Sequence, residues 1–274
     1  MSSENKVVTV TEPKTFDIVI KNANYDTKRP RPTTIQVPSR GHLYGGKFPS
    51  GELIISAMTT MEEQLLQSKS SDKVNILNEL CERCILKMPV SFNELLLPDM
   101  FYILLCIRNI SYGPVYTFNL TCPECSQKFR KDVTVPNDLE VTGLSEEDDC
   151  EPYEIFLPMS QKKVKFSLLR IKNENDIRRF TKNAYSKSVV KGDPSYSYRI
   201  ASYIQSIDDK EMNPIDKLEF VQNLISGDTN VLRNAIEKRE FGANLRIDCD
   251  CPACGDSSKT MMPFDSEFFR PSNT

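Results

Sequence analysis

Two short cysteine motifs, far apart in the chain, constrain its fold more than any other feature. Cys122 and Cys125 form the first Cys-Pro-X-Cys motif, and Cys251 and Cys254 form the second. Each follows a run typical of a β-strand, and a tight turn of this kind directs two thiolates at one tetrahedral ion. The motifs therefore predict a single site with four cysteine ligands, in which the ion ties the C-terminal tail to the middle of the chain.

Zinc is the metal that this ligand set favours, because structural zinc sites commonly take four cysteines. Four protein ligands leave no open position for an activated water, so the pattern indicates a structural ion and no catalysis at the metal. Three alternatives stay open: unligated surface thiols, an iron centre of the rubredoxin type, and an iron–sulfur cluster that recruits Cys249. A thioredoxin-like redox pair is not favoured, because no helical pattern follows either motif.

Composition and charge argue against several functional classes. Residues 1–15 show no signal-peptide pattern, which predicts a reducing compartment where nine cysteines stay free for metal. No apolar run approaches the roughly 20 residues that a membrane-spanning helix needs. The formal charge of -3 and pI of about 5.5 give no general basic field for nucleic acid or an anionic membrane. His42 is the single histidine, which leaves little for histidine-based catalysis.

The apolar periodicity predicts an α+β protein. Thr59 and Thr60 followed by Glu62 form a capping-box signature for a first helix, and the helical pattern of residues 74–85 predicts a second. Residues 100–110 are apolar on almost all sides, which predicts a central buried helix. The alternating runs predict strands at residues 16–21, 33–37, 52–57, 115–121, 128–135, 153–157, 163–169, 244–248 and 259–263.

Changes in composition predict three parts. Residues 1–32 form a polar and basic N-terminal arm, and residues 33–136 together with 241–274 form a metal-clasped core. An acidic stretch around residues 145–149 marks the start of a mainly helical insert at residues 137–240. Its helical patterns cover residues 174–187, 195–207, 214–224 and 228–240, and Asn213 is the expected N-cap of the third.

Two further patterns have simpler interpretations. Cys81 and Cys84 share the Cys-X-X-Cys spacing, but they lie on the apolar stripe of a predicted helix, which indicates core packing. Gly45, Gly46 and Lys47 lack the spacing of a phosphate-binding loop and are typical of a hairpin or Ω-type loop.

Several stretches taken together resemble the T4-type bacteriophage baseplate protein family. They are PSRGHLYGG at residues 38–46, MTTMEEQLL at 58–66, LPDMFYILLCIRNISYG at 97–113 and TCPEC at 121–125. The resemblance covers residues 35–135 and the C-terminal cysteine motif, and none is evident in the helical insert.

The resemblance implies a non-enzymatic structural or assembly component of a contractile-tail baseplate, in or near the hub. It implies partners among other baseplate or hub proteins, no small-molecule substrate, and a location in the host cytoplasm during assembly or in the virion tail. One alternative is a zinc-ribbon nucleic-acid-binding protein, although stacking aromatics are missing among its candidate cations. These cations are Lys28, Arg29, Arg31, Lys128, Arg130 and Lys131. Another alternative is a hydrolase within the insert, which would require convergent carboxylates in a pocket.

Overall fold

The computed structural model describes residues 32–67, 73–186, 193–264 and 267–269. The predicted strand at residues 16–21 and almost all of the predicted N-terminal arm lie outside the described residues. Helices alternate with small antiparallel sheets, which confirms the predicted α+β class. None of the helices in the described ranges is long and apolar enough to cross a membrane.

In chain order, the elements up to the first cysteine hairpin are β1 (Thr33–Gln36), β2 (Glu52–Ile55), α1 (Thr60–Leu66), α2 (Lys73–Cys84), β3 (Ile85–Lys87), α3 (Leu97–Tyr112), β4 (Val115–Thr121) and β5 (Lys128–Thr134). The remaining elements are β6 (Val141–Thr142), β7 (Tyr153–Leu157), β8 (Lys162–Phe166), α4 (Ile171–Ser186), α5 (Pro194–Tyr203), β9 (Ile204–Ile207), β10 (Lys210–Glu211), α6 (Pro214–Gln222), α7 (Ser226–Glu237), β11 (Gly242–Ala243), β12 (Arg246–Asp250) and β13 (Ser257–Met261).

Helix α3 is the central buried element, as its apolar sequence predicted. Pro98 lies in its first turn, where a proline costs no helical hydrogen bond, and Gly113 ends the helix with a φ of 88°. Every residue from Tyr102 to Arg108 is buried. A helix that is apolar on all sides is stable only when other elements surround it, so the core is built around α3.

A buried carboxylate fixes the β1–β2 loop to the start of α3. Asp99 accepts hydrogen bonds from the Ser39 backbone N–H (2.9 Å) and the Tyr44 hydroxyl (2.7 Å). The Tyr44 oxygen in turn accepts the Leu96 N–H at 3.0 Å. Burial raises the pKa of Asp99 to about 6, while the hydrogen bonds from Ser39 and Tyr44 oppose this rise. These bonds hold the glycine-rich loop as a packed hairpin connection.

Strand β3 was not predicted from the sequence. The helical pattern of α2 was extended through Ile85, but the helix ends at Cys84 and the chain pairs with β2 instead. The result is a three-stranded sheet in the order β1-β2-β3. A short apolar run that continues a helical pattern is ambiguous by periodicity alone, and here the edge of β2 decides its conformation.

The four helices predicted in residues 137–240 are present as α4 to α7, and Asn213 caps α6 by accepting two backbone N–H bonds. The prediction for residues 204–207 was wrong, because α5 ends at Tyr203 and Ile204–Ile207 form β9. Asp208 and Asp209 adopt positive φ values of 50° and 60° and form the two-residue turn to β10. The sheet has the order β10-β9-β8-β7, and the buried β8 edge stabilises β9.

Several contacts join residues 137–240 to the rest of the chain. Strand β6 pairs with β11, and Leu96 forms an isolated bridge with Arg170. The Arg170 guanidinium donates to the Leu43 carbonyl at 2.9 Å and pairs with Glu151 at 2.9 Å, with both charged side chains mostly buried. The division into arm, core and insert stays a prediction.

Candidate metal centre

The first cysteine motif forms the turn of the β4–β5 hairpin. Seven residue pairs are in register from Val115–Thr134 to Thr121–Lys128, which places Cys122 directly after the last pair. The Cys122 N–H donates to the Gln127 carbonyl at 2.9 Å, and the Ser126 N–H donates to the Cys122 carbonyl at 3.0 Å. The turn is therefore closed by backbone bonds before any metal is considered.

The second motif repeats this turn at the end of the β12–β13 hairpin. The Cys251 N–H donates to the Asp256 carbonyl at 2.8 Å, and the Gly255 N–H donates to the Cys251 carbonyl at 2.9 Å. The residue after the second cysteine has a positive φ in both turns, 58° at Ser126 and 74° at Gly255. The two turns are thus equivalent at the level of the backbone.

The structure brings all four predicted cysteines together. The sulfur atoms of Cys122, Cys125, Cys251 and Cys254 all lie within 4.8 Å of one another. Across the two hairpins, the sulfurs of Cys122 and Cys254 are 3.7 Å apart and those of Cys125 and Cys251 are 3.6 Å apart. A tetrahedral ion with metal–sulfur bonds of about 2.3 Å would hold its sulfurs about 3.8 Å apart. The cluster is compatible with such an ion.

Each hairpin contributes one buried and one exposed cysteine. Cys122 and Cys251 are 2% and 3% exposed, whereas Cys125 and Cys254 lie at the surface. The paired cross-hairpin distances each join one buried and one exposed sulfur. The two hairpins therefore contribute to the centre in the same way, and the site lies at the edge of the protein.

Backbone amides lower the pKa values of the turn cysteines, whereas neighbouring thiols raise the pKa of Cys254. Hydrogen bonds from the backbone N–H groups of Cys254 and Ala253 lower the pKa of Cys251 to about 7. The Asp256 N–H favours the Cys254 thiolate in the same way, yet the thiols of Cys125, Cys251 and Cys122 raise the pKa of Cys254 to about 12. Four thiolates this close repel one another, so a bound cation is what would allow all four to ionise.

The other cysteines lie outside the cluster. Cys249 is 2% exposed, and burial raises the pKa of its thiol, so it is a buried neighbour of the cluster and not a member of it. Cys81 and Cys84 are fully buried in the core cluster, as the apolar stripe of α2 predicted. Of the described cysteines, only the four in the two turns form a group of possible metal ligands.

A second connection between the C-terminal segment and the first hairpin was not predicted. The Phe268 ring packs against the Tyr116 ring of β4 with a centroid distance of 4.9 Å, and it is fully buried. The Arg108 guanidinium lies 5.4 Å from the Tyr116 centroid and 5.6 Å from that of Phe268. Phe264 and Phe269 complete this aromatic cluster. Phe264, Phe268 and Phe269 were the sequence signal that could have indicated this contact. The C-terminal segment therefore meets the first hairpin through aromatic packing as well as through the cysteine cluster.

His42 pairs with Asp149 through its Nδ1 atom at 2.6 Å, and both side chains are partly exposed. Asp148, in the acidic stretch around residues 145–149, pairs with Arg239, and its side chain is 19% exposed. These acidic residues are therefore used to hold neighbouring elements together.

Fold and site together define an α+β protein in which two cysteine hairpins from distant parts of the chain meet at one four-thiol centre. The family model described as T4 bacteriophage base plate protein matches residues 42–270, and the chain belongs to this family. The match includes the helical insert, so the family relationship is wider than the sequence resemblance indicated. Comparison with curated proteins and with solved structures gives no match.

Proposed function

We propose that this protein is a non-enzymatic structural or assembly component of the hub region of a phage contractile-tail baseplate. Membership of the base plate protein family is the observation that carries the proposal. The partners would be other baseplate or hub proteins, met in the host cytoplasm during assembly and retained in the virion tail if the protein stays in the particle.

We propose further that the four-thiol centre holds one structural zinc ion through Cys122, Cys125, Cys251 and Cys254. The cross-hairpin sulfur distances of 3.6 and 3.7 Å and the all-thiol donor set support a tetrahedral ion. Iron would fit a similar geometry, and zinc is preferred because it binds four thiolates without redox chemistry. Such an ion would join β4–β5 to β12–β13 and make residues 33–136 and 241–274 one clasped unit.

A nucleic-acid-binding role is not favoured. The family is that of a phage structural protein. Of the candidate cations, Lys128 and Arg130 are exposed and Lys131 is partly buried, on a hairpin whose exposed face also carries Asp132. A gel shift with single- and double-stranded DNA at two salt concentrations would separate the alternatives, because electrostatic binding weakens steeply as salt increases.

The functional proposal is tested by negative-stain imaging of tails from a phage that lacks a working copy of this gene. We expect missing or incomplete baseplates, and complementation with the wild-type gene should restore them. Normal baseplates with normal infectivity would refute the proposal. Mass spectrometry of purified particles would then distinguish a permanent component from an assembly factor that leaves.

The metal proposal is tested by elemental analysis of the protein purified without added metal. One zinc per chain is expected, and the Cys254→Ser variant should contain none. A full equivalent of iron in its place, or no metal in a folded protein, would contradict the assignment.

A further inference from the structure

A groove lies between α3 and the end of α7, away from the four-thiol centre. One wall consists of Leu97, Pro98 and Phe101 from α3, and the other of Ile236, Arg239 and Glu240. The rest of the lining consists of Leu168, Leu169, Tyr203, Phe241, Ala243 and Leu245, and the cleft has a volume of about 250 Å³. Phe101 remains 39% exposed although its ring contacts Phe264 at a centroid distance of 5.6 Å. This end of the groove is apolar.

A second and larger cleft of about 710 Å³ adjoins the first. The two clefts share four lining residues: Glu240, Phe241, Ala243 and Leu245. The larger one adds Met261, whose side chain is 57% exposed, at its rim. We call the combined depression the α3–α7 groove.

The larger end of the α3–α7 groove carries an excess of negative charge. Glu140, Glu237 and Glu240 line it, and Arg246 is the one cation among the described residues that do so. Glu237 also pairs with Arg233 outside the groove. Burial and the nearby Glu237 raise the pKa of Glu240, while Arg246 opposes this effect. The groove therefore joins an apolar cleft to an acidic one.

We propose that the α3–α7 groove is a docking site for a segment of another baseplate protein that presents one large apolar side chain flanked by lysine or arginine. The apolar side chain would enter the cleft beside Phe101, and the cations would lie against Glu240 and Glu140. This inference rests on the proposed baseplate function and adds to it the place and the chemistry of one partner contact.

The two ends of the groove would contribute differently to such a contact. An apolar anchor in a preformed cleft supplies most of the binding energy of an interface, because it leaves water completely. Complementary charges at the rim mainly raise the association rate and select the partner. A groove with one apolar end and one acidic end thus favours a basic segment over an acidic or uncharged one.

Site-specific photocrosslinking tests the location. The photoreactive residue p-benzoylphenylalanine replaces Met261 at the groove or, as a control, Met159, which is 60% exposed on the β7–β8 turn. Purified baseplate proteins of the same phage are added one at a time. We expect a crosslink from position 261 and none from position 159, and mass spectrometry should place it in a partner peptide that contains an apolar residue next to lysine or arginine.

Charge reversal tests whether the acidic side chain of Glu240 contributes to binding of a basic segment. Glu240→Lys should weaken binding of that partner by about tenfold or more and reduce the salt dependence of its association rate. Glu219→Lys, an exposed position on α6, is the matched control and should leave binding unchanged. Equal melting temperatures of both variants and the wild type show that the fold is retained. Reversal of the basic residue in the partner should restore binding to Glu240→Lys.

The outcomes separate this inference from the function on which it rests. If no baseplate protein binds the wild-type chain, the proposed function fails. If one binds but neither crosslinks at position 261 nor responds to Glu240→Lys, the docking site alone is refuted. A crosslink to a second copy of this chain, or to its own N-terminal residues, would also overturn the proposal, because the occupant would then be different.

Discussion

The chain contains three Cys-X-X-Cys pairs with identical spacing, and the fold places them in two different environments. The pairs in the β4–β5 and β12–β13 turns meet at one centre at the protein surface, whereas Cys81 and Cys84 are fully buried along α2. A turn closed by backbone bonds directs both sulfurs at one place, while helical residues three apart follow the apolar stripe into the core. Spacing brings two thiols close, and the backbone decides what they can bind.

Loss of one turn cysteine is expected to have the largest effect. Cys125 is exposed, so Cys125→Ser leaves no cavity and removes only a metal ligand. Because metal binding is coupled to folding, the variant should lose its zinc and more than about 4 kcal/mol of unfolding free energy. Elemental analysis and denaturant unfolding measure both.

The control is Cys150→Ser, which changes an exposed cysteine outside the site and should keep metal and stability. The Phe268–Tyr116 contact is expected to keep part of the C-terminal segment in place in Cys125→Ser. A Cys125→Ser protein with full zinc content would show that the two turn motifs do not share one ion.

Metal removal should separate the two classes of thiol by reactivity. After chelation, Cys125 and Cys254 are exposed thiols that iodoacetamide can reach, whereas Cys81 and Cys84 have no accessible surface. Burial also raises the pKa of Cys81 well above its usual value. Peptide mapping should show that Cys125 and Cys254 are modified at least about tenfold faster than Cys81 and Cys84. Comparable rates would mean that chelation unfolds the core.

Replacing Cys81 by alanine should lower the unfolding free energy only slightly and leave the zinc content unchanged. Cys81→Ala removes one sulfur from a fully buried position, which should lower the unfolding free energy by about 1–2 kcal/mol. The zinc content should stay at one per chain. A loss of zinc in Cys81→Ala would connect the helical pair to the metal centre and break the distinction between them.

The smallest expected effect on stability comes from the residue that follows the second cysteine of each turn. Its sign should differ between Gly255→Ala and Ser126→Gly. Gly255 has a φ of 74° with open space around it, so Gly255→Ala should cost about 1 kcal/mol through backbone strain alone. Ser126 occupies the equivalent position with a φ of 58°, so Ser126→Gly should be stabilising by up to about 1 kcal/mol. Thermal unfolding of the metal-loaded variants measures both. Changes of the same sign would show that the turns are not equivalent.

The local sequence was sufficient to predict the features that depend on interactions between residues close together in the chain. The Cys-Pro-X-Cys turns, the capping box at Thr59 and Glu62, the Asn213 cap and the buried α3 all follow from residues within a few positions of one another. The four candidate ligands could be predicted for the same reason, because each motif forms its own turn.

Tertiary structure alone decided the features that depend on distant partners. Ile85–Lys87 and Ile204–Ile207 became strands because the edges of β2 and β8 were available to them, although the predicted helical patterns extended through Ile85 and Ile207. The packing of Phe268 on Tyr116 and the α3–α7 groove likewise join residues far apart in the chain. Periodicity records which face of an element is apolar, and it contains no information about which distant element will cover that face.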